Sequence, residues 1–134
     1  MNNKEIGTQF ERELCETLAK RGFWVHFMSP DNSGAQPFDI IAVKNGRAYA
    51  IDCKTCEANR FNINRMEDNQ VFAFGRWIDC GNINPLVAVK HNDEIIWIDY
   101  VALLINRSIS LDADKCDLSK KYDEILEDTI LCIL

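Results

Sequence analysis

Long apolar runs are missing. Nothing in the 134 residues approaches the roughly 20 consecutive apolar positions that a bilayer-spanning helix needs. The opening MNNKEIGTQFERE has no hydrophobic secretory stretch, so an intracellular protein without a membrane partner is expected. With only 3 prolines and 6 glycines, the composition excludes fibrous and low-complexity chains. No GxGxxG follows a strand and no GxxxxGK[ST] occurs, which argues against dinucleotide and P-loop phosphate sites. Nor is there an internal repeat. Cysteine is plentiful, at 6, but Cys53 and Cys56 make one CxxC without the second ligand pair of a structural zinc site. Reduced thiols are therefore expected rather than disulfides or zinc.

What remains is an ordinary globular composition, 47% hydrophobic and 27% charged, in a chain of single-domain size. The net charge of −6 opposes a surface uniformly attractive to polyanions. Its distribution is uneven: residues 1–67 carry 9 Lys/Arg and 9 Asp/Glu, residues 68–134 carry 6 and 12. A polyanion would approach through the first half.

Apolar spacing predicts a helix over Gly7–Arg21, with Phe10, Leu14 and Leu18 on one face and Gly22 as its stop. A short buried strand over Phe23–Phe27 and a polar loop over Met28–Pro37 follow. Phe38–Lys44 and Arg47–Lys54 flank Asn45-Gly46, which favours a two-residue type I′ hairpin. That turn pairs Lys44 with Arg47, Val43 with Ala48, Ile40 with Ile51 and, one step further out, Asp39 with Asp52. Cys56–Asn64 reads as irregular. Glu67–Ile78 has helical spacing with Gln70, Phe74 and Trp77 on one side. A second hairpin joins 85–89 to 95–98, Tyr100–Ile105 forms a short helix, and Leu118–Ile133 has the periodicity of a terminal helix. The order implies a mixed sheet covered by helices.

Period two puts Asp52 and Lys54 on one strand face, and the hairpin register brings Asp39 to them. Facing carboxylates repel, and a cation is the remedy. Spacing alone leaves two readings open: a solvated pair balanced by Lys54, or a site for a hard divalent ion with oxygen ligands. At about 100° per residue, Glu11 falls at the border of the apolar arc of the first helix. It is either a boundary residue that reaches solvent, Arg12 or Lys54, or part of the same site.

The strings Gly7-Thr-Gln-Phe-Glu11-Arg-Glu-Leu, Gly22-Phe23, Ser33-Gly34-Ala-Gln-Pro37-Phe38-Asp39-Ile-Ile-Ala and Tyr49-Ala-Ile-Asp52-Cys53-Lys54-Thr55 together resemble the PD-(D/E)xK nuclease superfamily, in particular its small Holliday-junction resolvases. The similarity runs over about residues 6–100. It implies a restriction-endonuclease-like α/β fold, with 1–134 as a single nuclease-like domain and 106–134 as a C-terminal packing or dimerisation extension.

The resemblance assigns Asp39 as the principal metal ligand, Asp52 as the second, Glu11 as an assisting acid and Lys54 as the catalytic lysine beside the attacking water. Gln70 resembles an orienting polar residue on the following helix, although an ordinary core-edge glutamine fits equally. The implied activity is Mg²⁺-dependent cleavage of branched DNA by a homodimer, with Mn²⁺ as a substitute, leaving 5′-phosphate and 3′-hydroxyl ends. Its expected location is the cytoplasm or another DNA-containing compartment. Lys44, Arg47, Arg60 and Arg65 are the candidate phosphate contacts. Asp52 stands where such resolvases commonly carry Glu, and the acidic total charge is unlike theirs. Two other readings stay open: a nuclease of the same superfamily acting on other DNA or RNA, and a non-catalytic nucleic-acid-binding or assembly protein.

Overall fold

The computed structural model describes residues 2–28, 36–116 and 118–121. Helix α1 (Asn3–Lys20) begins ahead of Gly7 because a capping box forms: Asn2 Oδ1 accepts from Glu5 N at 2.9 Å, and Glu5 Oε2 accepts from Asn2 N at 3.1 Å. It stops before Gly22, whose φ of +92° suits glycine. Strands β1 (Trp24–Phe27), β2 (Ile40–Lys44) and β3 (Arg47–Thr55) follow. The β2–β3 register is Lys44↔Arg47, Val43↔Ala48 and Ile40↔Ile51, as the Asn-Gly turn dictates, with φ of 55° at Asn45 and 77° at Gly46.

Next come β4 (Arg60–Asn62), a 3₁₀ turn (Ile63–Arg65), α2 (Asp68–Asp79), β5 (Leu86–His91), β6 (Glu94–Asp99), α3 (Tyr100–Asn106), β7 (Ser108–Ser110) and β8 (Ser119–Lys121). The main sheet has the order β1-β2-β3-β5-β6-β8. Its β3–β5 pair is parallel and the others are antiparallel, so the chain between them crosses over through α2. On one face Phe10, Leu14 and Leu18 of α1 pack on Ile40, Tyr49, Ile51 and Trp97. On the other, Phe74 of α2, Leu103 of α3, Phe61 of β4 and Ile109 of β7 pack on Ala50, Val87, Val89 and Ile98. Burying each of these large apolar side chains contributes about 1.5–3 kcal/mol.

The fold class matches the sequence expectation, with three local corrections. The stretch read as irregular, Cys56–Asn64, contains β4, because Phe61 is fully buried and pairs with Ile109 of β7. The Phe23–Phe27 run is not buried throughout: β1 is an edge strand, and Trp24 is 63% exposed. The helix expected from Leu118 is replaced at its start by β8, which pairs with Ile96–Ile98 of β6. The remainder of that expected helix, 122–134, and most of the expected loop, 29–35, lie outside the described residues. Among the described residues no helix is long and apolar enough to cross a membrane.

Candidate metal-dependent active site

Asp39 stands one residue before β2, and its N–H donates to Ile51 O at 3.2 Å, which carries the hairpin register outward by one step. This brings its carboxylate to the start of the Asp52-Cys53-Lys54 segment of β3. Oδ2 of Asp39 accepts from Cys53 N at 2.8 Å, and Oδ1 accepts from Gln36 Nε2 at 2.9 Å.

Asp52 points to the α2 side of the sheet and is fully buried. Its Oδ1 accepts from Gln70 Nε2 at 3.1 Å, while Lys54 Nζ lies 3.3 Å from its Oδ2. Lys54 Nζ donates to Gln70 Oε1 at 2.9 Å, and the same oxygen accepts from Glu67 N at 3.0 Å. Gln70 is therefore locked in the first turn of α2 and holds both the acid and the base of this pair.

The electrostatics show an excess of negative charge. Burial and the charge of Asp39 raise the Asp52 pKa well above the ordinary range, partly offset by Lys54. Glu11, reaching in from α1, is raised to about 7 by burial, by the charge of Asp39 and by a hydrogen bond to it. Asp39 thus has a carboxyl neighbour on each side, and a single ammonium serves the group.

Oδ2 of Asp52 is buried and has the Lys54 ammonium at 3.3 Å as its ion-pair partner, with lone-pair capacity to spare. Together with the crowded carboxyls, it fits a hard cation, which binds oxygen and relieves their repulsion. Among the described residues no three His, Cys, Asp or Glu side chains cage an ion by themselves. Asp39 and Asp52 supply carboxylate oxygens of the kind that a hard divalent cation takes. Burial and the neighbouring acids push the Cys53 thiol well up, and its side chain packs with the α1-side core, on the sheet face opposite Asp52 and Lys54. The five cysteines of the described residues are free, in keeping with reduced thiols.

The four candidate phosphate contacts are not gathered in one place. Lys44 and Arg47 flank the hairpin tip, about 17 Å of strand from the Asp39 end. Lys44 Nζ donates to Arg21 O at 2.6 Å and lies over the Phe23 ring. Arg60 is bound to Ser108, through Nε at 3.2 Å and Nη2 at 3.0 Å to Oγ and through Nη2 at 3.1 Å to the carbonyl. Arg65 covers the Phe61 ring and donates from Nη2 to Thr55 O at 2.8 Å, just past Lys54. It shares an open cleft of about 830 Å³ with Thr55 and Lys90. Gln36 and Asn69 also join this network without a signal in the sequence: Gln36 stands in a loop before a proline, and Asn69 is a polar residue in the first turn of α2, where no apolar period marks it.

Comparison with known proteins places the chain by family and fold. The family described as archaeal Holliday junction resolvase (Hjc) matches residues 2–127. The crossover junction endodeoxyribonuclease Hjc of Methanocaldococcus jannaschii is 31% identical over 75% of this chain and 70% of its own. The crossover junction endodeoxyribonuclease Hje of Saccharolobus islandicus is 28% identical over 96% of this chain and 98% of its own. The crystal structure of Archaeoglobus fulgidus Hjc, a Holliday junction resolvase, has the same fold, with a TM-score of 0.61 at 21% identity over 87% of this chain and 95% of that one.

Proposed function

The chain belongs to the archaeal Holliday junction resolvase family, and from that membership we propose that its buried carboxylate pair serves Mg²⁺-dependent cleavage of four-way DNA by a homodimer. It is a structure-selective endodeoxyribonuclease, a phosphodiester hydrolase of a generally metal-dependent family. The observation that carries the site assignment is the fully buried Asp52 carboxylate, set beside Asp39 with the Lys54 ammonium alone to balance the pair.

Asp39 and Asp52 would hold Mg²⁺, or Mn²⁺ in its place, with Glu11 contributing directly or through water. When bound, the ion activates water and neutralises charge on the phosphate oxygens. Lys54, pinned by Gln70, presents its ammonium to the attacking water and to the charge that develops at phosphorus. Gln70 bridges the lysine and Asp52 and so sets their relative position. Arg65, with Lys44 and Arg47 at the hairpin tip, serves as a phosphate contact that positions DNA without reading bases, whereas Arg60, expected in the same role from the sequence, is engaged with Ser108. The whole chain acts as one nuclease domain, with 106–134 as its packing or dimerisation extension, in the cytoplasm or another compartment that contains DNA.

Cleavage of four-way, nicked and linear DNA of matched sequence, with Mg²⁺ and with EDTA, tests the proposal. The expected result is Mg²⁺-dependent paired incision of the junction and little cutting of linear duplex. Cleavage unaffected by EDTA overturns the metal assignment, and equal cutting of all three substrates overturns junction selectivity.

A further inference from the structure

The first turn of α2 sets Asn69 and Gln70 side by side, and the two reach the aspartates by different routes. Gln70 Nε2 donates directly to Asp52 Oδ1 at 3.1 Å. Asn69 Nδ2 donates to the backbone carbonyl of Gln36, whose Nε2 donates to Asp39 Oδ1 at 2.9 Å and to Phe38 O at 3.3 Å. One helix turn is thus connected to both carboxylates.

We infer that Gln36 is a positioning residue for the metal-binding aspartates, carrying the position of α2 to Asp39 as Gln70 carries it to Asp52. The inference rests on the reading of Asp39 and Asp52 as metal ligands. A free carboxylate turns readily about its last torsion. Asp39 cannot, because Cys53 N holds one oxygen and Gln36 Nε2 the other. Each oxygen keeps lone-pair capacity for a cation after accepting one N–H. The donor is neutral, so it steadies the ionised carboxylate without adding to the charge around it. Removing Gln36 leaves one fixed oxygen and a rotatable second, which enlarges the range of Asp39–Asp52 separations that a metal must select from. Partners of this kind, one bond removed from the ion, commonly change metal affinity by about 10–100-fold when lost.

The test uses the full chain without DNA, Mn²⁺ alone as the probe at pH 8, and free Mn²⁺ read by electron paramagnetic resonance. Gln36→Met keeps side-chain length and removes the donor. It is expected to weaken Mn²⁺ binding about tenfold or more while the metal-free melting temperature stays that of the unaltered protein. Asn69→Ala loosens the Gln36 backbone and is expected to weaken binding as well. It also tests the inference by itself if Gln36→Met does not fold. Binding unchanged in both variants overturns the positioning role. No Mn²⁺ binding by the unaltered protein, or full binding by Asp39→Asn, overturns the metal-site reading itself and this inference with it.

Discussion

Lys54 Nζ stands 3.3 Å from Asp52 Oδ2, two residues away on the same face of β3. Gln70 holds Nζ from the other side, so the ammonium is directed rather than free. Lys54→Ala removes a positioned charge from the reaction while leaving both aspartates. Single-turnover junction cleavage at saturating Mg²⁺ is expected to fall on the order of 10²–10³-fold, as for loss of one oxyanion donor. Half-saturating Mg²⁺ changes far less. A loss confined to Mg²⁺ affinity would assign Lys54 to ligand support instead of the chemical step.

Asp39→Asn tests the other carboxylate and has a structural signature of its own. Both Asp39 oxygens accept N–H groups, from Gln36 and Cys53, but an asparagine has only one oxygen to offer. Its NH₂ then faces a donor, at a cost of about 1–3 kcal/mol, offset by relief of repulsion with Asp52 and Glu11. The fold persists and metal-dependent cleavage is lost. Because the charge of Asp39 and its hydrogen bond both raise Glu11, the Glu11 pKa moves down from about 7 in this variant. Carboxyl-resolved NMR titration of metal-free protein reads that shift, and an unmoved Glu11 would separate it from the pair.

Much of this site was legible because one local turn determines it. Asn45-Gly46 fixes the β2–β3 register, period two then aligns Asp52 with Lys54, and Asp39 is a single step beyond the ladder. Gln70 followed from helical spacing to Phe74. What escaped depends on partners distant in sequence. β4 and β7 have three residues each, too few for alternation to show, and they pair across a separation of 48 residues between Phe61 and Ile109. Trp24 looks like core in a Phe-Trp-Val-His-Phe run, and only its edge position in the sheet exposes it. Leu118 fits a helical period, yet the next residues are taken up by the open edge of β6.

Without metal, the carboxyl cluster makes stability depend on pH in a definite direction. The Glu11 pKa rises on folding from 4.5 to about 7, so the folded state binds more protons between those values. Its contribution is fully present below pH 4.5 and is lost as pH rises through 7. Metal-free protein should therefore melt higher near pH 5.5 than near pH 8, and Glu11→Gln should flatten the difference. Added Mg²⁺ acts oppositely, stabilising more at pH 8 because its ligands must be ionised. A metal-free melting temperature that rises from pH 5.5 to 8 and is insensitive to Glu11→Gln would contradict this account.

Arg60 and Arg65 both follow the Lys54 strand, but their surroundings divide their roles. Arg60 makes three hydrogen bonds to Ser108 and so ties β4 to β7. Arg65 donates to Thr55 O, immediately beyond Lys54, and lines an open cleft with Lys90, Glu57 and Asp93. A phosphate that follows β3 past Lys54 is expected to meet Arg65. In Ca²⁺, which keeps DNA uncut during the measurement, Arg65→Ala should weaken junction binding and reduce the slope of log affinity against log salt by about 0.9, the value for one lost duplex phosphate contact. Arg60→Ala should instead lower the melting temperature and leave the slope nearly intact, because its guanidinium N–H groups are held on Ser108 rather than turned to a phosphate. If Arg60→Ala changes the slope and Arg65→Ala does not, DNA runs over the β4–β7 side rather than past Thr55. Equal slopes in all three proteins would remove both arginines from the DNA path and shift the phosphate contacts to the Lys44 and Arg47 tip.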